Sequence, residues 1–153
     1  LMNLKNLNNI FIPINKHGGQ ARAAAAAMDE TYASDAQIIT FPAGMVSRKY
    51  NGKIKDPEWQ KNFVVKAIKH QRDIIPIHVE GRNSNLFYNI CRFRQLFGIK
   101  LNFEMLMRPK ETFKKKHSVF TLKIGKRIPW QSLDKSKSAQ EWAREIQDLV
   151  YKL

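Results

Sequence analysis

The chain has 153 residues, of which 43% are hydrophobic, and this length and composition suit one domain with a buried core. Its 27 lysines and arginines outnumber 13 aspartates and glutamates, and the formal net charge of +14 favours an anionic partner such as nucleic acid, anionic lipid or an acidic carrier protein. A single cysteine, Cys91, excludes an internal disulfide and a cysteine-based metal cluster within one chain, and no apolar run reaches the roughly 18 to 20 residues of a membrane-spanning helix.

The first part of the sequence alternates apolar runs with polar turns. Residues 9–15 predict a first strand, in which Pro13 favours an edge position or a strand end. Residues 20–34 include five consecutive alanines and predict a helix with few large side chains, able to lie close against a sheet. The run from Ile38 to Phe41 is short, β-branched and aromatic, which is typical of a buried strand.

A turn with the sequence Phe-Pro-Ala-Gly ends this second strand. Pro42 fixes one backbone angle and Gly44 permits a positive φ, so the loop that carries Ser47 and Arg48 is expected to be stiff. Residues 49–55 then predict a polar, basic loop centred on a glycine. A stiff loop of this kind suits a site that holds a charged group.

The middle of the chain predicts a helix and a third strand. Asp56 can cap a helix that has a proline at its first position and a glutamate in its first turn. Residues 73–79 predict the third strand, which ends in a polar turn over residues 80–85. The apolar residues of the helix recur at helical spacing and are Trp59, Phe63, Val64 and Ala67.

The remaining residues predict a helix over 86–98, a half-buried strand over 99–107, a solvated basic loop over 108–117 and a last strand over 119–128. A capping box, formed by Ser138 with a glutamate three residues later, predicts a C-terminal helix. The expected buried residues of these two helices are Phe87, Ile90, Cys91, Leu96 and Phe97 in the first, and Trp142, Ile146, Leu149 and Val150 in the second.

Together these elements predict an α/β fold with a mixed, largely parallel sheet flanked by helices, in a single domain over residues 1–153. Ligands of such sheets bind beyond the carboxyl ends of the strands. The loops over residues 15–19, 41–48 and 80–85 are therefore expected to converge on one site.

Three blocks of the sequence resemble a known family. They are residues 9–15, the run Ile-Ile-Thr-Phe-Pro-Ala-Gly-Met-Val-Ser-Arg at 38–48, and the run Ile-Ile-Pro-Ile-His-Val-Glu-Gly at 74–81. In order and spacing they resemble the 1-acylglycerol-3-phosphate and related lysolipid acyltransferases, over roughly residues 9 to 130. The resemblance is closest to a bacterial branch often labelled hemolysins, which includes acyltransferases that make ornithine and glycine lipids.

The resemblance implies a glycerol-3-phosphate acyltransferase-like fold, incomplete at its N-terminus. It also implies an activity, the transfer of a fatty acyl group to the hydroxyl of a lysolipid or amino lipid. The implied donor is acyl carrier protein or acyl-CoA, and no cofactor or metal is implied.

The phosphate-binding block departs from the family pattern. Ala43 stands where the family usually has glutamate, and Met45 and Val46 stand where it has threonine and arginine. Arg48, two positions further on, is a candidate replacement for the missing arginine, and an acceptor other than glycerol phosphate is favoured. The substrate-binding residues that the resemblance implies are Asn15, Lys16, His17, Phe41, Pro42, Gly44, Ser47, Arg48, Glu80 and Arg82.

The catalytic motif of the family, His-x-x-x-x-Asp, is not found in the sequence. In this motif the histidine deprotonates the acceptor hydroxyl and the aspartate orients the imidazole. The histidines are His17, His70, His78 and His117, and the residues five positions later are Arg22, Ile75, Asn83 and Leu122. We therefore expect the chain to be the C-terminal portion of an acyltransferase domain, without catalytic residues and inactive alone.

Two other features have a plainer interpretation than a functional one. The lysines from Lys114 to Lys116 are expected to form a solvated face, the alternative being contact with anionic lipid or acyl carrier protein. Phe87, Phe93 and Phe97 are expected in the core rather than in an acyl channel.

The predicted partners are acyl carrier protein or acyl-CoA, a lysolipid acceptor and an anionic membrane surface. The predicted location is cytoplasmic, peripheral on the inner face of the cell membrane. The alternative function is a basic nucleic-acid-binding module, motivated by the net charge but disfavoured because no recognisable reading motif or stacking surface accompanies it. Membrane lysis is also disfavoured, since the sequence has no lytic amphipathic segment.

Overall fold

The computed structural model describes residues 10–11, 20–99 and 106–153. A 3-10 turn over Trp130–Ser132 precedes the last helix. The helices of the described residues are α1 (Gln20–Ala33), α2 (Asn62–Lys69), α3 (Asn85–Leu96), α4 (Arg108–Phe113) and α5 (Ala139–Val150), and the strands are β1 (Arg48–Tyr50), β2 (Lys53–Lys55), β3 (Ile77–Glu80) and β4 (Thr121–Ile124).

Both strand pairs are antiparallel. Strand β1 pairs with β2, and β3 pairs with β4 in a register that places Ile77 opposite Ile124. A single bridge between Ile74 and Ile128 extends the second pair. The described residues therefore form a mixed α/β structure, but the expected largely parallel sheet is not found among them.

The run from Ile38 to Phe41, predicted to be a strand, lies outside any strand pair of the described residues. Ile39 and Phe41 are exposed, and an apolar run becomes a strand only where a neighbour completes its ladder of hydrogen bonds. The predicted strands over 73–79 and 119–128 are confirmed in shorter form as β3 and β4. Most of the strands predicted over 9–15 and 99–107 lies outside the described residues.

Residues 49–55 form a tight hairpin rather than the predicted loop. Asn51 and Gly52 have φ values of 46° and 82°, and two successive positive φ angles are typical of the type I′ turn that joins two twisted strands. The hairpin brings four cationic side chains together on its two short strands, those of Arg48, Lys49, Lys53 and Lys55.

The first core lies between α2 and α5. Trp59 and Trp142 pack against this core and remain partly exposed. The apolar stripes predicted for the two helices are confirmed, except that Leu149 is exposed. The capping box of α5 is also confirmed, because Ser138 accepts from the backbone N–H of Glu141 at 3.3 Å and its own N–H donates to the Glu141 carboxylate at 2.7 Å. The buried members of this core are Phe63, Val64, Ala67, Leu133, Ala143 and Ile146.

Helix α2 begins at Asn62 and not near Asp56 as predicted. Long-range hydrogen bonds hold the intervening backbone in another conformation. The N–H of Trp59 donates to Gln147 Oε1 at 3.3 Å, and Gln147 Nε2 donates to the carbonyl of Pro57 at 3.0 Å. The carbonyl of Pro57, which a helix beginning there would use for its own first hydrogen bond, is thus bonded to α5.

The second core lies on one side of α3 and contains Phe87, Tyr88 and Cys91. Val46, Ile54 and Met107 pack against it. The predicted burial of Leu96, and of Phe93 and Phe97 as core residues, is wrong, because these side chains lie on the other side of α3. Part of the predicted basic loop over 108–117 is helix α4, which begins with Pro109 in its first turn, where a missing N–H costs nothing.

Helix α1 confirms the helix predicted over 20–34 and is attached to α2 by one carboxylate. Asp29 Oδ1 accepts from Lys66 Nζ at 2.6 Å and from Lys69 Nζ at 3.1 Å, and it lies 2.9 Å from His70 Nε2. These partners, Lys66 foremost, hold the pKa of Asp29 well below its usual value. Tyr32 is the buried residue of α1 among those whose burial the structure describes.

Candidate functional site

The Phe-Pro-Ala-Gly turn is rigid and presents an exposed aromatic ring. The N–H of Gly44 donates to the carbonyl of Phe41 at 3.0 Å, and Gly44 has a φ of 63°, which a glycine adopts without strain. The carbonyl of Pro42 accepts from the N–H of Gln60 at 3.0 Å, so the turn is also fixed to the segment before α2. Phe41 itself is 80% exposed. The expected stiffness of the turn thus has an identified structural basis.

The Ser47 side chain is hydrogen-bonded to a neighbouring carboxylate. Its hydroxyl donates to Asp56 Oδ1 at 2.7 Å, and the backbone N–H of Asp56 donates to the Tyr151 hydroxyl at 2.7 Å. Trp59 Nε1 donates to the other oxygen of Asp56 at 3.3 Å. A chain of hydrogen bonds therefore runs from the turn to the C-terminal end of α5.

Arg48 is buried and folds back over its own turn. Its Nη1 donates to the carbonyl of Val46 at 3.0 Å, and its guanidinium carbon lies 6.0 Å from the centre of the Phe87 ring. A buried guanidinium holds its charge in a fixed place, because carbonyl oxygens and a ring face replace part of its hydration. The predicted role of Arg48 as a phosphate-binding replacement stays a prediction.

The second predicted loop, residues 80–85, is held from three sides. Glu80 pairs with Lys123 across the β3–β4 ladder at 2.7 Å, which holds the pKa of the Glu80 carboxyl below its usual value. Arg82 donates to Asn85 Oδ1, and its carbonyl accepts from Lys115 Nζ. Both predicted residues are exposed at the surface of the loop.

The strongest support for this loop comes from a buried glutamate that the sequence reasoning missed. Glu111 is only 4% exposed, and its two oxygens accept from the backbone N–H of Ser84 at 2.6 Å and from the Ser84 hydroxyl at 2.7 Å. These hydrogen bonds, the backbone one first, hold the pKa of the Glu111 carboxyl below its usual value. The N–H of Asn83 donates to the Tyr88 hydroxyl at 3.1 Å and fixes the neighbouring position.

The end of the 41–48 segment contacts the start of α3. Val46 packs against the second core, and Arg48 lies over Phe87, three residues after Ser84. His78 of β3 contacts the Tyr151 ring at 5.8 Å between ring centres and so joins the same region. The structure therefore places Val46 and Arg48 against α3, the helix that directly follows the 80–85 loop, and the convergence of the predicted loops on one site stays a prediction. Asn15, Lys16 and His17 lie outside the described residues.

Asp56, Tyr151 and Glu111 carry this arrangement without having been predicted to do so. Asp56 matched a helix cap, a local role that concealed its distant partners. Glu111 is one acid inside a basic run, and no spacing rule links it to Ser84, 27 residues earlier. Long-range pairs of this kind have no local sequence signal.

The structure defines the surroundings of two histidines, His70 and His78. His70 contacts Asp29, which two lysines share, and Nδ1 of His78 is buried and makes no hydrogen bond within the described residues. The part of the chain that the structure covers contains no group of three His, Cys, Asp or Glu side chains placed to hold a metal ion. In that same part, no helix has the length and apolar character needed to cross a bilayer.

A family model described as "Acyltransferase" matches residues 1–153. The chain belongs to this acyltransferase family. The resemblance of the three sequence blocks to acyltransferases is thus confirmed. No solved structure matches the chain.

Two curated relatives carry the same name, lyso-glycine lipid O-acyltransferase. The protein from Phocaeicola vulgatus is 50% identical over 153 residues, which is 100% of this chain and 55% of the relative. The protein from Bacteroides thetaiotaomicron is 47% identical over 153 residues, 100% of this chain and 56% of the relative. The acyltransferase chain thus spans about half the length of the curated relatives it matches.

Proposed function

We propose that this chain is part of an enzyme that transfers a fatty acyl group to the hydroxyl of a lyso-glycine lipid or a closely related amino lipid. The observation that carries the proposal is the match to two relatives of that name across every residue of the chain, at 50% and 47% identity. The altered phosphate-binding block agrees with it. Met45 and Val46 replace the polar pair expected for a glycerol phosphate acceptor, whereas a glycine lipid offers a carboxylate.

The proposed contribution of these residues is to bind the acceptor rather than to perform the chemistry. The 41–48 turn and the 80–85 loop are each held by hydrogen bonds that leave little freedom, and we propose that they contribute to one acceptor site. Exposed Arg82 supplies a guanidinium that can bind a carboxylate with two hydrogen bonds. Preorganised loops of this kind lower the entropic cost of holding a head group.

The general base is proposed to lie in a His-x-x-x-x-Asp motif outside these 153 residues, because no histidine of the chain has an aspartate at that spacing. The 153 residues alone are then expected to be inactive. Acyl carrier protein or acyl-CoA is the proposed donor, and the net charge of +14 complements either polyanion.

A larger sheet, like that of the glycerol-3-phosphate acyltransferases, forms part of the same proposal. Ile39 and Phe41 belong to an apolar run that is exposed and has no strand partner among the described residues. A neighbouring strand would complete the hydrogen-bond ladder of this run, and helices packed on the sheet would bury Ile39 and Phe41, which lie on the same face of a strand.

The test is an acyl-transfer assay on two proteins, the 153 residues alone and the product of the complete reading frame. Each is given acyl carrier protein or acyl-CoA thioesters with lyso-glycine lipid or lysophosphatidic acid as acceptor. We expect transfer by the complete protein to lyso-glycine lipid, weak transfer to lysophosphatidic acid, and none by the 153 residues.

Two results would contradict the proposal. Robust transfer by the 153 residues would place the base within them, and a preference for lysophosphatidic acid would contradict the acceptor. Tight, salt-dependent binding of nucleic acid without any acyl transfer would favour the alternative basic module.

A further inference from the structure

Helix α3 has apolar residues on two opposite sides. One side is buried in the second core through Phe87, Tyr88 and Cys91. The apolar residues on the other side recur at helical spacing, are between 54% and 73% exposed, and are Leu86, Phe93, Leu96 and, one residue after the helix, Phe97. The rings of Phe93 and Phe97 lie 4.4 Å apart, centre to centre, so they form one patch.

Basic groups border this patch. A surface concavity of about 510 Å³ joins the β1–β2 hairpin to α3, and it is lined by Lys49, Tyr50, Asn51, Gly52, Arg92 and Leu96. Neither the hairpin (48–55) nor α3 (85–96) contains an aspartate or glutamate, while together they carry six lysines and arginines. An apolar and aromatic patch bordered by cations, on elements without an acidic residue, is typical of surfaces that lie at the boundary of a lipid bilayer.

We propose that the exposed side of α3 and the tip of the β1–β2 hairpin form a docking face for an anionic bilayer surface. Phe93, Leu96 and Phe97 enter the layer between head groups and acyl chains, and Lys49 and Arg92 contact lipid phosphates. The inference rests on the proposed function, because an acyl acceptor of that kind resides in a membrane.

The composition of the face favours lipid over the other anionic partners. A nucleic acid would stack on Tyr50 and the phenylalanines, but it would leave Leu86 and Leu96 without an apolar partner. A second copy of this chain would bring the like charges of Lys49 and Arg92 to the same face and no acid from these elements. An anionic bilayer offers acyl chains to the apolar residues of the face and phosphates to its cations.

The test is flotation of the complete protein with vesicles of phosphatidylcholine, with and without phosphatidylglycerol. We expect binding that requires the anionic lipid and weakens with salt. Exchanging both cations at the concavity, by Lys49→Gln with Arg92→Gln, should weaken partitioning about 25-fold, since each basic residue near such a surface contributes about fivefold. The matched control exchanges two exposed lysines elsewhere, Lys126→Gln with Lys135→Gln, and should lose clearly less than the variant at the concavity.

The apolar part is tested by Phe93→Ser with Phe97→Ser, for which we expect partitioning to fall roughly tenfold or more. The control is Val119→Ser with Leu122→Ser. It removes one exposed apolar side chain from β4 and one just before β4, and it should leave vesicle binding unchanged. Circular dichroism of each variant checks that the fold is retained.

Unchanged vesicle binding in both α3–hairpin variants would overturn the docking face, as would equal losses in the controls. A dimer that dissociates in the phenylalanine variant would also overturn it, because the patch would then join two copies. Acyl transfer to detergent-dispersed acceptor separates this inference from the proposed function: transfer without vesicle binding overturns only the docking face, whereas vesicle binding without transfer counts against the proposed function alone.

Discussion

Replacing Glu111 tests the central support of the 80–85 loop. The Glu111→Ala variant removes a buried carboxylate that accepts from the Ser84 N–H at 2.6 Å and from the Ser84 hydroxyl at 2.7 Å. Hydrogen bonds to a charged group contribute about 1.5 to 3 kcal/mol each, and two on one residue are not fully additive, so we expect a loss of about 2 to 4 kcal/mol in the free energy of unfolding.

Urea denaturation followed by circular dichroism measures this loss. The matched control is Glu145→Ala, which removes an exposed carboxylate paired with Lys137 on the surface and should cost only a small fraction as much. A loss in Glu111→Ala no larger than that of the control would refute the reasoning, because the buried hydrogen bonds would then contribute nothing measurable.

The Glu111→Gln variant adds a dependence on pH. Because hydrogen bonds from Ser84 lower the pKa of Glu111 in the folded state, the unfolded state binds a proton at a higher pH than the folded one. The stability from the carboxylate is therefore complete above about pH 5 and is lost as the pH falls through the folded-state pKa. The difference between wild type and Glu111→Gln should narrow on acidification, and a constant difference would contradict this mechanism.

Two further predictions concern local structure, and thermal unfolding checks both. Ser138→Ala removes the acceptor of the α5 capping box and should cost about 1 kcal/mol, with Ser118→Ala, outside any helix, as a control that changes little. Gly52→Ala should cost about 1 to 2 kcal/mol through backbone strain alone, because the residue has a φ of 82° and no atom lies within 4 Å of the added Cβ; an unchanged melting temperature would contradict the type I′ turn.

A complete local signal in the sequence led to one correct prediction and one wrong one. The C-terminal helix has a capping box and an apolar stripe, and the structure confirms both. The tight hairpin also had such a signal, the Asn51-Gly52 pair between alternating residues, but the lysines around it suggested a loop. The prediction of a loop followed the basic composition of the segment and not its turn residues, and it was wrong.

Long-range contacts decided the elements that the sequence did not predict. Residues 56–60 have the cap and proline of a helix start, yet hydrogen bonds with Gln147 and Tyr151 hold them in another conformation. Ser47 and Arg48 were expected to bind a ligand. In the structure Ser47 donates a hydrogen bond to Asp56, and Arg48 donates one to the carbonyl of Val46. The partners of Ser47 and Arg48 are close in sequence, whereas Asp56 and Tyr151, 95 residues apart, can be paired only once the fold is known.

The attachment of α1 makes one part of the molecule respond to ionic strength. The helix carries mostly small, exposed alanines, and the contacts of Asp29 with Lys66 and Lys69 are ionic and partly open to solvent. Added salt weakens such contacts, while the two apolar cores are insensitive to screening. Salt concentration is therefore expected to change how firmly α1 is held against α2 more than it changes the packing of the two cores.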